Sequence, residues 1–156
     1  MPRSMALFNL LRPKDINLEL GVSEVLGELD YYIFNEPALN GFSKEISESR
    51  NNQKNYYYIE EIKKIKIKTL EQILNENLLP DVIDFLTIDV EGLDLQVLRS
   101  NNWEKYRPTR IIVEDLQRAN SAKGCSEIES FLLDLGYFCE SYVKRNVIYK
   151  DTNNFE

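Results

Sequence analysis

Apolar positions in this chain switch between two periods, and the clearest extended segment is Ile83-Asp84-Phe85-Leu86-Thr87-Ile88-Asp89-Val90-Glu91-Gly92. This short apolar run ends abruptly in two carboxylates and a glycine. Its length and its Ile, Phe, Leu and Val content predict a strand buried on both faces, as in a parallel sheet. Open α/β sheets bind ligands at the carboxyl ends of such strands, where Asp89 and Glu91 stand. The competing explanation is that the two carboxylates simply end a strand and cap the next helix.

The other segments fall into order around this one. Ser4 to Leu11 puts Met5, Leu7, Phe8, Leu10 and Leu11 on roughly one helical face, with Ser4 as N-cap and Pro13 closing it. Ile16 to Val22 alternates apolar and polar residues and predicts a strand. Gly27 turns into a second extended run, Leu29 to Phe34, so the pair reads as a hairpin or as two consecutive strands. Asn35 to Asn55 is polar and loop-like; Ser43 and Lys44 are candidates to touch a substrate, against the plainer reading of solvated loop residues. After the aromatic Tyr56-Tyr57-Tyr58-Ile59, the run Ile62 to Lys68 sets Ile65 and Ile67 opposite a row of Lys64, Lys66 and Lys68. That row reads as a solvated or edge-protecting face. Thr69 and Gln72 form a capping-box pattern that opens a helix through Leu74, Leu78 and Leu79, stopped by Pro80.

Beyond the central strand come a helix from about Leu93 to Ser100, a connector from Trp103 to Pro108, and the strand Arg110-Ile111-Ile112-Val113-Glu114-Asp115. Ser126 to Leu135 is a helix closed by Gly136 at C′. Tyr137 to Val143 and Asn146 to Lys150 form a terminal hairpin across Lys144-Arg145. Strands alternating with helices predict one α/β domain over 1–156 with a mostly parallel sheet and an antiparallel hairpin at one edge. If the strands ending at Asp89 and Glu114 are neighbours, then Asp89, Glu91, Glu114 and Asp115 gather on one rim. Such a cluster suits a divalent cation or a carboxyl with a raised pKa.

Composition narrows the chemistry. The 156 residues, 43% hydrophobic and 29% charged, are enough for one core and argue against disorder. A net charge of −7 with scattered Lys and Arg disfavours nucleic acid or an anionic membrane surface as partner. No apolar run approaches a membrane span and no signal peptide is evident, and Cys125 and Cys139 read as reduced thiols of a cytoplasmic protein. Histidine is absent, so proton transfer falls to carboxylates, Lys, Tyr or water. No two of the six glycines lie within two positions of each other, so there is no Gly-x-Gly cofactor turn and no phosphate loop.

The string from Ile83 through Gly92 to Leu93-Asp94, its spacing to Trp103-Glu104-Lys105-Tyr106-Arg107-Pro108, and the strand ending Val113-Glu114 resemble the signature of FkbM-type S-adenosylmethionine-dependent methyltransferases. The likeness runs upstream through Lys68-Thr69-Leu70 and the Asn35–Asn40 loop to Met1. It implies a Rossmann-like class I methyltransferase sheet of order 3-2-1-4-5-7-6. Ile16 to Val22 would match strand three, Phe85 to Val90 strand four, Ile111 to Glu114 strand five, and the final hairpin strands six and seven. Strands one and two, with the glycine-rich turn for the methyl donor, have no counterpart, so the chain reads as N-terminally truncated. The family implies methyl transfer from S-adenosylmethionine to a hydroxyl of a small molecule, a glycan or a secondary metabolite. Asp89 would lie beside the methyl group, with Glu91 and Glu114 assisting, and Gly21, Val22 and Ser23 would contact adenine. The exposed edge of strand four should be covered by strand three or by a second copy of the chain. Two further readings stay open: a non-catalytic interaction module on this fold, and a metal-dependent hydrolase using the acidic rim.

Overall fold

The computed structural model describes residues 5–52, 56–77, 82–118 and 125–153. Along the chain run α1 (Met5–Leu11), β1 (Gly21–Val22), β2 (Gly27–Phe34), a 3₁₀ turn (Pro37–Leu39), α2 (Lys44–Arg50), β3 (Ile59–Lys68) and α3 (Leu70–Asn77). Then follow β4 (Ile83–Ile88), α4 (Asp94–Arg99), β5 (Pro108–Glu114), α5 (Glu127–Asp134), β6 (Tyr137–Val143) and β7 (Asn146–Asp151). The result is a mixed α/β chain with two sheets, ordered β1-β3-β2 and β4-β5-β7-β6.

Two sheets replace the expected single, mostly parallel one. Only β1 with β3 and β4 with β5 pair in parallel; the three remaining pairings are antiparallel. In the smaller sheet the central strand is β3. Its lysine row faces acidic partners on β2, with Glu28 opposite Lys66 and Asp30 opposite Lys64. The Lys64 Nζ stands 2.7 Å from Asp30 Oδ1. Opposite charges on directly opposed strand positions stabilise that pairing, and β1 then completes the same small sheet. It does not move in beside β4. Nor do β1 and β2 form a hairpin, because β3 lies between them.

Only the last two residues of the alternating run Ile16–Val22 enter a ladder. Ile16 and Leu18 are exposed, since alternation defines two faces but a strand also needs a neighbour. The polar segment 35–55 is not wholly loop: Ser43 accepts the Ile46 N–H at 3.3 Å and starts α2. The buried-strand expectation for β4 is likewise corrected. Asp84, Phe85 and Thr87 are exposed, Phe85 at 61%, because among the described residues β4 pairs only with β5.

Other expectations hold. The capping box is reciprocal: Thr69 Oγ1 accepts the Gln72 N–H at 3.1 Å and Gln72 Oε1 accepts the Thr69 N–H at 3.2 Å. Ser126 caps α5, Gly136 follows it with φ +83, and the hairpin closes at Lys144-Arg145. The expected Ser4 cap and the Pro80 stop lie outside the described residues. The connector 103–107 is irregular, yet Trp103 and Tyr106 within it are buried. Trp103 donates Nε1–H to Leu98 O at 2.9 Å and meets Phe131 and Tyr137 edge-on. The core gathers Ile88, Leu98, Ile111, Val113, Leu132, Tyr137, Val147 and Tyr149. Among the described residues no helix is long and apolar enough to cross a membrane.

Candidate active site

The parallel register of β4 and β5 pairs Ile88 with Val113. The next residue of each strand, Asp89 and Glu114, therefore leaves the sheet beside the other. Asp89 is exposed, whereas Glu114 is half-buried. Burial first, and then the charges of Asp89, Glu91 and Asp94, push the Glu114 carboxyl above its ordinary pKa, with Arg145 offsetting part of the effect. A half-buried carboxyl among like charges holds a proton more readily than a free one, which suits it to proton transfer.

The turn after β4 is shaped by two successive left-handed residues, Glu91 at φ +54 and Gly92 at φ +97. Glu91 has a Cβ and holds this conformation at some cost. A neighbour holds it there. Arg50 at the end of α2 reaches Glu91 with Nη2 to Oε2 at 2.8 Å. Gly41 lies close by, where a Cβ would sit 3.5 Å from the Glu91 Cβ, at ordinary contact distance. At Gly92 a Cβ would lie 2.5 Å from Ile46 Cδ1, so the end of the Ile46 side chain would have to shift, and the φ of +97 strains any side chain there. Thus α2, which the sequence reading took for loop, packs on the turn that follows the central strand.

Asp94 opens α4 and is almost fully buried at 2% exposure. Its Oδ2 accepts the Gly92 N–H at 3.2 Å, while its buried Oδ1 makes no hydrogen bond. Burial raises its pKa, opposed by the backbone N–H groups of Gly92, Asp94 and Val90. Asp115 has a different role. Fully buried, it accepts the Gln117 and Arg118 N–H groups at 3.1 and 3.0 Å and the Ser126 hydroxyl, so it ties the turn after β5 to α5.

A cleft of about 340 Å³ opens between α2, α4, the end of β5 and the start of α5. Glu45, Asp94, Glu114, Asp115 and Glu127 line it, and among the described residues no Lys or Arg does. Of the sequence-derived site residues, Glu114 lines this cleft, and so does Ser43, otherwise the α2 cap. Asp89, Glu91, Gly21, Val22 and Ser23 are not in its lining. Gly21 is packed under Ile67 and Phe42, Val22 against the core, and Ser23 is buried with its N–H on Lys68 O at 3.2 Å. Lys44 points toward Glu48 at 3.7 Å. Among the described residues, no three carboxylates or thiols converge as a metal ion requires.

Sequence reasoning missed Asp94 and Arg50. Asp94 follows the glycine of the turn and reads as an ordinary helix-start acid, with nothing local to show that it is buried. Arg50 lies 41 positions from Glu91, and no spacing rule connects them.

A family model described as "Methyltransferase FkbM domain" matches residues 2–139. No protein of curated function matches, and no solved structure does. The matched span holds both carboxylate-ended strands, the strained turn between Asp89 and Asp94, and the α2 helix that supports it. The chain belongs to the FkbM methyltransferase family.

Proposed function

We propose that this chain methylates a hydroxyl group on a small molecule or glycan, with S-adenosylmethionine as donor and a Rossmann-like class I sheet as framework. The observation that carries the reading is the β4–β5 register, which brings Glu114, with its raised pKa, beside Asp89. The order β4-β5-β7-β6 is also the one expected of the last four strands of that sheet. S-adenosylmethionine supplies an electrophilic methyl, whose bond to sulfur breaks as the bond to the acceptor oxygen forms. The residues present fit a cationic donor in charge at the carboxylate rim, where the exposed Asp89 stands beside Glu114. In this reading Asp89 lies beside the methyl group. Glu114 takes the hydroxyl proton. Glu91, held by Arg50, sets the shape of the turn. Positioning and proton removal are the two contributions such a displacement needs.

Calorimetric titration with S-adenosylmethionine and with its demethylated product tests the reading. Saturable heat that Asp89→Asn weakens is the expected result; no heat and no thermal shift from either ligand overturns it for this chain.

A second reading, an interaction module, is favoured by the open edge of β4 with Val82 78% and Phe85 61% exposed. A strand edge of this kind is a template for pairing with a second copy. Sedimentation should then show a dimer that Phe85→Lys converts to monomer, and a monomeric parent chain counts against it.

A further inference from the structure

The acidic cleft is lined by Asp94, one of whose carboxylate oxygens has no hydrogen-bond partner among the described residues. Asp94 is 2% exposed, and the unpartnered atom is its buried Oδ1. A buried carboxylate oxygen left without a donor is costly, so such an atom points to a partner outside the chain. The surrounding charge says what kind of partner. Glu45 on α2, Glu114 at the end of β5 and Glu127 on α5 line the same cleft, and among the described residues no cationic side chain lines it. Arg50, the cation at the end of α2, is turned to Glu91. A metal ion is disfavoured because the described residues offer no set of three converging ligands. An ammonium group suits the site better: it donates several hydrogen bonds and needs no fixed coordination polyhedron. Ile46, Leu95, Leu116 and Ile128 give the cleft apolar walls for the carbon skeleton carrying it.

We infer that this cleft recognises a hydroxylated primary ammonium compound, with the nitrogen held by Asp94 Oδ1 among Glu45, Glu114 and Glu127. As the identity of the methyl acceptor, the inference rests on the proposed function: the acceptor class becomes an amino sugar or amino alcohol whose hydroxyl lies near Glu114. As a binding site it stands without that reading.

The test is calorimetric titration of the full chain with glucosamine, its protonated form in excess, beside N-acetylglucosamine as the uncharged match. Glucosamine should bind saturably and N-acetylglucosamine at least about tenfold more weakly, the usual worth of one charge-assisted hydrogen bond. Asp94→Asn should weaken glucosamine by about tenfold or more. Glu114→Gln, on a different element, should weaken it as well, so the test survives if either variant fails to fold. No saturable heat from glucosamine, equal binding of both sugars, or binding that neither folded variant alters overturns the inference. Displacement of glucosamine by S-adenosylmethionine overturns the acceptor assignment, because the cleft would then hold the donor's own ammonium group. S-adenosylmethionine heat without glucosamine heat leaves the methyltransferase reading standing and removes this one.

Discussion

At the scale of single residues, function and stability pull against each other at Glu114. Its folded pKa is raised above the ordinary 4.5, chiefly by burial and then by neighbouring carboxylates. The protonated form is therefore the one the fold favours. Its contribution to stability is complete below the unfolded pKa and is lost as pH rises through the folded value. Glu114→Gln should melt at a higher temperature than the parent chain at neutral pH, with the difference vanishing below about pH 4. Thermal unfolding at a series of pH values checks this, and a variant that melts lower than the parent at neutral pH contradicts it. Gly92 is the counterpart on the backbone side. A side chain there meets Ile46 and must also adopt φ +97. Gly92→Ala should cost roughly 2–3 kcal/mol in urea unfolding, combining strain and overpacking.

Among the elements, α3 and α2 show two ways of fixing a helix. α3 carries its start signal in its own sequence, in the reciprocal bonds of Thr69 and Gln72. Thr69→Ala should lower stability by about 1 kcal/mol, read from the urea midpoint. α2 is seven residues long, short for an autonomous helix. It is held from outside as well, by the Arg50–Glu91 pair and by Ile46 against Gly92. The strand β3 depends on a pattern that the sequence displayed but did not interpret. Its lysines are not only a solvated row; they select β2 as an antiparallel partner through Glu28 and Asp30.

For the whole molecule, one ion pair joins two strands of the larger sheet and reaches α5. Arg107, just before β5, donates to Asp151 at the end of β7 through Nε at 3.2 Å and Nη2 at 2.6 Å. The same Nη2 reaches Leu135 O, behind α5, at 3.0 Å. Burial, the largest single influence, would raise the Asp151 pKa, but the Arg107 bonds, the Asn153 N–H and the Arg107 charge together outweigh it and hold the carboxyl below its ordinary 3.8. A depressed carboxylate stabilises above its unfolded pKa and loses that contribution as pH falls through the folded value. Asp151→Asn should cost about 2–3 kcal/mol at pH 7, less than a fully buried pair because Arg107 is partly exposed. The gap should narrow in acid; a gap constant from pH 7 down to pH 2 would speak against this account.

What the sequence determined by itself was local or adjacent. The capping box, the α5 cap with its closing Gly136, the terminal hairpin and the two strands ending in Asp89 and Glu114 all depend on neighbouring residues and short periods. The carboxylate pair was legible because a single crossover makes those two strands parallel neighbours. Tertiary structure decided the remainder. That β1 would join β3 and not β4, that β4 would keep an open face, and that α2 would brace the turn at Glu91 depend on contacts tens of residues apart. Burial made the same distinction among the acids. Asp89, Asp94 and Asp115 look alike in sequence, yet the first is exposed, the second is buried with an unpaired oxygen, and the third is fully bonded within the fold. A carboxylate's chemistry follows from the charges and donors packed around it, and a linear pattern does not contain them.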